Sequence, residues 1–109
     1  MYELVILAEA KAELRHEANY SKTKWGKTHG KKYIDELQTK IGSLKKNPHL
    51  YPKRDDILTD IHILNYKGNR IIYTIREEKK QVIILAILSV YQHMENLELS
   101  MRYGKVKLD

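Results

Sequence analysis

The feature that most constrains the fold is an apolar run near the C-terminus, QVIILAILS at positions 81–89. Side chains on a β-strand alternate between two faces, so this run predicts a strand that is apolar on both sides. Such a strand is usually central in its sheet and covered twice. Helices can supply one cover, and we expect the C-terminal tail or a partner chain to supply the other.

Two helical patterns precede this strand. Spacings of three and four predict a helix over 9–25, with one face made of Ala10, Leu14, Ala18, Ser21 and Trp25. Gly26 is a natural end for it. A second helix is predicted over 27–46, with a stripe made of Gly30, Ile34, Leu37, Ile41 and Leu44. Asn47-Pro48 ends it, because proline disfavours the helical conformation of the preceding residue. The two helices should form a hairpin, with Trp25 as a packing anchor.

Four strands are predicted around the hairpin: YELVIL (2–7), IHILNY (61–66), NRIIYTIRE (69–77) and QVIILAILSVY (81–91). The short turns at 67–68 and 78–80 force the last three to run antiparallel. In the third strand, Arg70, Ile72, Thr74 and Arg76 share one face. The chain is long enough for one domain, 1–109, with a core over about 2–96 and a tail over 97–109. We expect a short helix in the tail.

Composition narrows the classes of function. The formal net charge of +6 favours an acidic partner, either nucleic acid or protein. The chain has no cysteine, which excludes disulfides and thiolate zinc sites and fits a reducing cytoplasm. No stretch reaches the ~20 apolar residues of a membrane span, and the N-terminus lacks a signal-peptide pattern. The five histidines show no metal-ligand spacing, so we expect no metal and no cofactor.

The order of these elements resembles the RelE/ParE toxin superfamily of bacterial type II toxin–antitoxin systems. The stretches that carry the resemblance are AEAKAEL (8–14), WG (25–26), KKYIDELQTKIGSLKKNPHLYP (31–52), NRIIYTI (69–75), VIILAIL (82–88) and VYQHME (90–95). Together they span roughly residues 2–96. Trp-Gly at the hairpin, Tyr33, Leu37 and the segment at 90–95 make the ParE branch the closer one.

The resemblance implies an α+β fold of two layers, with the helix hairpin packed on a four-stranded antiparallel sheet in the order 1-4-3-2. It also implies a cytoplasmic protein with a cognate antitoxin, small and acidic in the segment that wraps the toxin, and a possible higher-order complex of the two. An acidic segment suits a basic toxin. Contact with the antitoxin is expected at four sheet residues: Ile72, Arg76, Ile84 and Leu88.

ParE-type toxins act on DNA gyrase without being nucleases, and their C-terminal portion is implicated in that action. By resemblance, the target-contact candidates here are Tyr91, Gln92, His93, Met94 and Arg102. Such a toxin would arrest growth and support plasmid stabilization. In the ParE register Tyr91 takes the place of a histidine, and His93 falls at a variable position.

RelE-type toxins are instead metal-independent, ribosome-dependent mRNA endoribonucleases. That chemistry needs a base for the 2′-hydroxyl, an acid for the leaving oxygen and cations around the phosphate. The candidates are Arg70, His93, His62, Arg76 and Tyr91. The strand over 61–66 supplies one histidine and no lysine, which favours the ParE alternative. A third alternative is an inactive member of the superfamily that serves as a binding module.

Overall fold

The structure, a computed structural model, describes residues 1–89 and 92–107. Its elements are β1 (Glu3–Ile6), α1 (Ala8–Gly42), β2 (His62–Tyr66), β3 (Asn69–Arg76), β4 (Gln81–Ser89) and α2 (Asn96–Lys107). Single 3-10 turns lie at Ser43–Lys45, Pro48–Leu50 and Glu77–Lys79. The helix α1 packs on one face of the sheet and α2 packs on the other. The fold is α+β as predicted, and α2 adds a third layer to the expected two.

The predicted hairpin is present as two arms of α1, residues 8–25 and 27–42. The turn between them is Gly26, whose φ of 86° and ψ of 165° are easily reached only without a Cβ. The arms then approach closely, because a Cβ added to Gly30 would lie 2.7 Å from the backbone of Ser21 and Lys22. The second arm ends earlier than predicted, since the chain tightens into a 3-10 turn before Asn47-Pro48.

The sheet has the predicted order, β1-β4-β3-β2. The prediction that all strands run antiparallel is wrong for β1, which pairs parallel to β4 from Glu3 opposite Gln81 to Ile6 opposite Ile84. Short turns fix the direction of β2, β3 and β4 only. The strand β1 reaches the sheet through α1 and a long loop, and a crossover of that length permits parallel pairing.

The core beneath α1 joins the hairpin to the sheet. Its buried residues include Ile34, Leu37, Ile41, Leu64, Ile71, Tyr73, Ile84 and Ile87. The Tyr73 hydroxyl donates a hydrogen bond to the Pro48 carbonyl at 2.7 Å, so the ring is satisfied although buried. Burial, with a smaller contribution from Tyr51, raises the pKa of Tyr73.

A second core lies on the opposite face of the sheet. Its buried residues include Ile61, Ile63, Ile72, Ile83, Leu85, Leu88, Leu99 and Val106. Leu99 and Val106 belong to α2, so the C-terminal tail supplies the cover that the apolar β4 required. The sequence leaves two alternatives for this face of β4, the C-terminal tail or a partner chain. In the structure the C-terminal tail covers it. The apolar face of β4 is therefore no evidence by itself for a partner.

The edge of β4 extends beyond β1, because β1 pairs only as far as Ile84. Ile72 pairs with Ala86 and Tyr73 with Ile84, which leaves Leu85 as a bulge. Backbone groups beyond that point are satisfied by side chains: the Ile87 amide donates to Glu13 Oε1 at 3.0 Å, and the Leu85 carbonyl accepts from Arg102 at 2.9 Å. These bonds close an edge that would otherwise be open to strand pairing.

Candidate functional site

Two arginines of β3, Arg70 and Arg76, lie on the sheet face that α2 covers. Arg70 donates through Nη2 to the Gln92 carbonyl at 2.6 Å. Arg76 donates through Nη1 to the Val106 carbonyl at 3.0 Å. Six residues of strand span about 20 Å, so the two arginines stand at opposite ends of this face. Each one holds part of the C-terminal segment, and they do not converge on one phosphate.

Arg70 retains some hydrogen-bonding capacity. Its Nε is buried and has no hydrogen-bond partner within the described part of the chain. Leaving a buried donor unpaired costs about 1–3 kcal/mol. A carbonyl or an anion that reached this face could use that donor.

His62 is on the wrong side of the sheet for the predicted partnership with Arg70. It lies opposite Tyr73, and the two rings stack at 5.1 Å with an interplanar angle of 16° in the core beneath α1. His62 Nδ1 donates to the Tyr51 carbonyl at 2.6 Å. His62 is buried, so it is a packing residue of the α1 side and cannot act with Arg70 on one substrate.

The segment between β4 and α2 holds most of the predicted target contacts. His93 has a side chain that is 79% exposed, and its Nε2 lies 3.5 Å from Glu95 Oε1. Gln92 is also exposed, and its side-chain oxygen accepts from the Ser89 amide at 2.8 Å, which fixes the chain as it leaves β4. Met94 packs partly against the core beneath α2. The predictions for Tyr91 lie outside the described residues.

Arg102, which the sequence analysis gives as a target-contact candidate, is buried and acts as a structural anchor. Only 7% of it is exposed. Its two terminal nitrogens pair with the two oxygens of Glu13, both at 3.0 Å, and Nη2 also lies 2.7 Å from Glu98 Oε2. Burial disfavours the charged guanidinium and acts to lower the pKa of Arg102. The hydrogen bonds that Arg102 donates to Glu13 and Glu98, with the negative charges of these carboxylates, outweigh burial and raise that pKa. The guanidinium joins α2 to α1 and to β4.

The predicted antitoxin contacts are covered in this structure. Ile84 is fully buried in the core beneath α1, so its side chain does not face a partner. Ile72 and Leu88 are buried in the core beneath α2. Arg76 is engaged with α2 through Val106. A partner could reach Ile72 and Leu88 only if α2 left its place.

Two apolar residues of α2 that the sequence analysis does not name are exposed. Leu97 is 73% exposed and Met101 is 64% exposed. They are four positions apart, so they lie on the same outer face of the helix. Leu99 and Val106 point into the core from the opposite side. That spacing was visible in the sequence, and it would have identified an apolar stripe on each side of the helix.

Other chemistry has little support. No group of three or more His, Asp and Glu side chains that could hold a metal ion occurs within residues 1–89 and 92–107. In the same part of the chain, none of the helices combines the length and the apolar character needed to cross a bilayer.

The protein has the fold of the RelE and ParE toxins. It is similar to a chain of the chromosomal ParDE TA system from P. aeruginosa, with a TM-score of 0.70 and 15% identity over 82% of this chain and 96% of that one. It is also similar to the isolated E. coli RelE toxin, with a TM-score of 0.61 and 17% identity over 97% and 99% of the two chains. For the RelBE2 toxin–antitoxin complex from Mycobacterium tuberculosis the TM-score is 0.57, with 19% identity over 81% and 90%.

The family follows from the sequence. The model of the ParE toxin of the type II toxin–antitoxin system parDE matches residues 4–94. No match was found among curated proteins. The chain therefore belongs to the ParE toxin family of type II toxin–antitoxin systems.

Proposed function

We propose that this toxin inhibits DNA gyrase through protein contacts and does not cleave RNA. The observation that carries the proposal is the division of the candidate nuclease groups between the two faces of the sheet. His62 is buried beneath α1, whereas Arg70 and Arg76 lie beneath α2 and bind main-chain carbonyls. A base, an acid and two cations do not meet around one position where a phosphate could bind.

The surface that would contact gyrase is the C-terminal surface, which we define as residues 92–95 with Leu97 and Met101. Its members include an exposed histidine and two exposed apolar side chains. Exposed apolar residues that lie together commonly mark protein interfaces. This placement supports contact with a protein target, which is the role that resemblance gives to the C-terminal portion of ParE-type toxins.

The antitoxin would contribute an acidic segment to a toxin of net charge +6, and the opposite charges would steer the two chains together. Ile72 and Leu88 would join that interface only after α2 is displaced. A segment that folds on binding could take the place of a short helix whose attachment is partly polar.

The experiment compares gyrase supercoiling and mRNA cleavage with one set of purified proteins. The double variant Leu97→Ser, Met101→Ser should lose most inhibition of supercoiling, because it removes the apolar anchors of the contact. The matched control is Leu50→Ser, which changes another exposed leucine outside the C-terminal surface and should inhibit like the parent. Equal inhibition by all three proteins would refute the proposed surface.

RNA cleavage remains a second candidate because of one contact. Arg70 binds the carbonyl of Gln92, the residue next to His93, so one cation and one acid/base group stay near each other. If the toxin is a nuclease, the parent protein should cleave mRNA on translating ribosomes, and the variant His93→Gln should lose that cleavage. Neither protein should then inhibit supercoiling by gyrase. Cleavage by the parent protein that is lost in this variant would overturn the gyrase proposal.

A further inference from the structure

A cavity of about 830 Å³ lies on the α1 side, between the tip of the hairpin, the β2–β3 turn and the end of β4. We call it the hairpin cleft and define it by six lining residues: Glu17, Tyr20, Lys24, Trp25, Tyr33 and Lys67. Its volume is within the usual range for a small-molecule site, about 300–1,000 Å³. These six residues lie outside the C-terminal surface, which meets the cavity only at Gln92.

Two backbone features create the cleft. Gly26 turns the chain between the arms of α1, and the close approach at Gly30 fixes their separation. The lining therefore comes from both arms and the tip between them. The β2–β3 turn closes the lower side, where Lys67 has a positive φ of 51°. These elements hold the cleft open without any bound partner.

The floor of the cleft carries a carboxylate without a partner. Glu17 is only 7% exposed and makes no hydrogen bond or ion pair with any residue that the structure describes. Burial chiefly, and then the negative charge of Glu17, raise the pKa of Tyr33, so the carboxylate lies near that ring. The Tyr33 hydroxyl already donates a hydrogen bond to Asn69 Oδ1. Glu17 thus offers the cleft a carboxyl group that accepts no hydrogen bond from the described part of the chain.

The walls of the cleft are aromatic. Trp25 and Tyr33 meet edge to face at 5.3 Å, and Trp25 and Tyr20 each leave about half of their surface exposed. Trp25, predicted as a packing anchor, leaves much of its indole exposed to solvent. Exposed aromatic rings beside a groove are platforms on which a nucleobase can stack.

The rim of the cleft is cationic. Lys24 lies over the rings of Tyr20 and Trp25 at 5.6 and 5.3 Å, and Lys67 pairs with Glu36 at 3.3 Å. Lys32 also lines the cavity, and neither it nor Lys24 makes an ion pair within residues 1–89 and 92–106. Ammonium groups at the rim suit an anionic group that projects from a ligand seated inside.

We infer that the hairpin cleft binds a guanine base that carries a phosphate, from a free nucleotide or a single-stranded nucleic acid. Guanine presents two adjacent donors, N1–H and the 2-amino group, which one carboxylate can accept together. Adenine, cytosine and uracil lack that pair of donors. The base would stack on Trp25 and Tyr20, Glu17 would accept its two hydrogens, and the phosphate would lie at the lysine rim.

An arginine side chain of a partner protein is the competing occupant, because guanidinium also offers two parallel donors to a carboxylate. The lysines around the rim repel the positively charged guanidinium of an arginine, and they attract a phosphate. The charge of the cleft as a whole thus favours the nucleotide.

Trp25 makes the site directly measurable, since it is the only tryptophan in the sequence. Quenching of its fluorescence is titrated with GMP, IMP and AMP. We expect GMP to bind at least about tenfold more tightly than IMP, which lacks the 2-amino donor, because a bond to a charged acceptor is worth about 1.5–3 kcal/mol. AMP should bind no better than IMP. Equal affinities for the three nucleotides would overturn the inference.

The variant Glu17→Gln tests the carboxylate. It should lose about tenfold or more in GMP affinity and leave AMP binding unchanged, whereas the control Glu78→Gln, at an exposed site outside the cleft, should bind like the parent. Because Glu17 has no partner to lose, the free variant should unfold at the parent temperature or above it. If it fails to fold, Lys32→Ala replaces it, with weaker binding of GMP but not of guanosine as the expected result.

Two further arms identify the source of the base. A short single-stranded RNA with one guanosine that binds more tightly than GMP, with a strong salt dependence, would assign the site to nucleic acid. Binding of GMP alone would assign it to the free nucleotide. Quenching by N-acetyl-arginine amide without any response to guanine compounds would refute the inference in favour of a protein partner. No arm involves gyrase, so the outcome is independent of the proposed function.

Discussion

The two faces of the sheet are covered in different ways. Beneath α1, a helix of 35 residues contributes a long apolar stripe to a core that also contains a fully buried tyrosine. Beneath α2, a helix of 12 residues contributes Leu99 and Val106, and much of its attachment is polar. Arg102 binds Glu13 and Leu85, Arg76 binds Val106, and Lys105 binds Glu9.

This contrast indicates that one side of the sheet provides most of the stability and that the other side can rearrange. Apolar burial is insensitive to pH and salt, whereas ion pairs depend on charge and geometry. A short helix held by a few polar bonds can open locally while the rest of the domain stays folded. The α1 side should therefore determine global stability, and the α2 side should be the part that a partner can rearrange.

The largest expected effect comes from truncating the core beneath α1. Leu37→Ala should lower the free energy of unfolding by about 2–5 kcal/mol, because a fully buried leucine leaves a cavity. The matched change beneath α2 is Leu99→Ala, which should cost less because α2 can separate from the sheet. Urea denaturation of both variants measures the difference. Equal losses would show that both covers contribute alike to global stability.

The next effect comes from removing the charged anchor of α2. Arg102→Met should leave Glu13 partly buried without its partner, at a cost of about 3 kcal/mol. We expect the loss to be local: hydrogen exchange of amides in α2 should accelerate strongly, while β3 and β4 stay protected.

The control for this variant is Lys31→Met on the outer face of α1. Lys31 forms an exposed pair with Asp35 at 2.9 Å, four positions away. Such surface pairs contribute at most about 0.5 kcal/mol, so stability and exchange should hardly change. Unchanged protection of α2 in the Arg102 variant would mean that the apolar contacts of Leu99 and Val106 hold the helix alone.

Much of the fold could be predicted from local patterns. The stripes of the hairpin and the alternation of β3 depend on neighbours a few residues apart, and the short turns determine the order of β2, β3 and β4. The direction of β1 could not be predicted, because a long connection leaves it open. The apolar strand predicts that something covers its second face, but it does not show whether the C-terminal tail or a partner chain does so. The packing of α2 on that face was therefore one of two alternatives.

The site was less predictable because it depends on register and distant pairs. The sequence allows His62 and Arg70 to lie on one face of the sheet. The pairing of His62 with Tyr73 places them on opposite faces. Arg102 meets Glu13 across 89 positions of sequence, and no local signal identifies such a pair. Glu17 reads as one polar residue of a charged helix, and only its burial sets it apart.

The smallest expected effect concerns pH and the contact between Lys105 and Glu9. The hydrogen bond from Lys105, with a backbone bond at Glu9 itself, lowers the pKa of that carboxyl below its ordinary value of 4.5. A carboxylate with a lowered folded pKa stabilises the fold above pH 4.5, and this contribution is lost as the pH falls through the folded pKa. Because the pair is substantially exposed, the effect should stay below about 1 kcal/mol.

We therefore expect α2 to loosen before the core beneath α1 when the pH falls below 4.5. Hydrogen exchange of α2, recorded from neutral to acidic pH and corrected for intrinsic rates, measures this loosening. The variant Lys105→Met removes the bond and should lose part of the pH response in that range. Identical profiles for the parent and the variant would show that the Lys105–Glu9 contact does not help to hold α2. The difference between the faces would then depend on Arg102 and Arg76, whose partners include main-chain carbonyls that do not titrate.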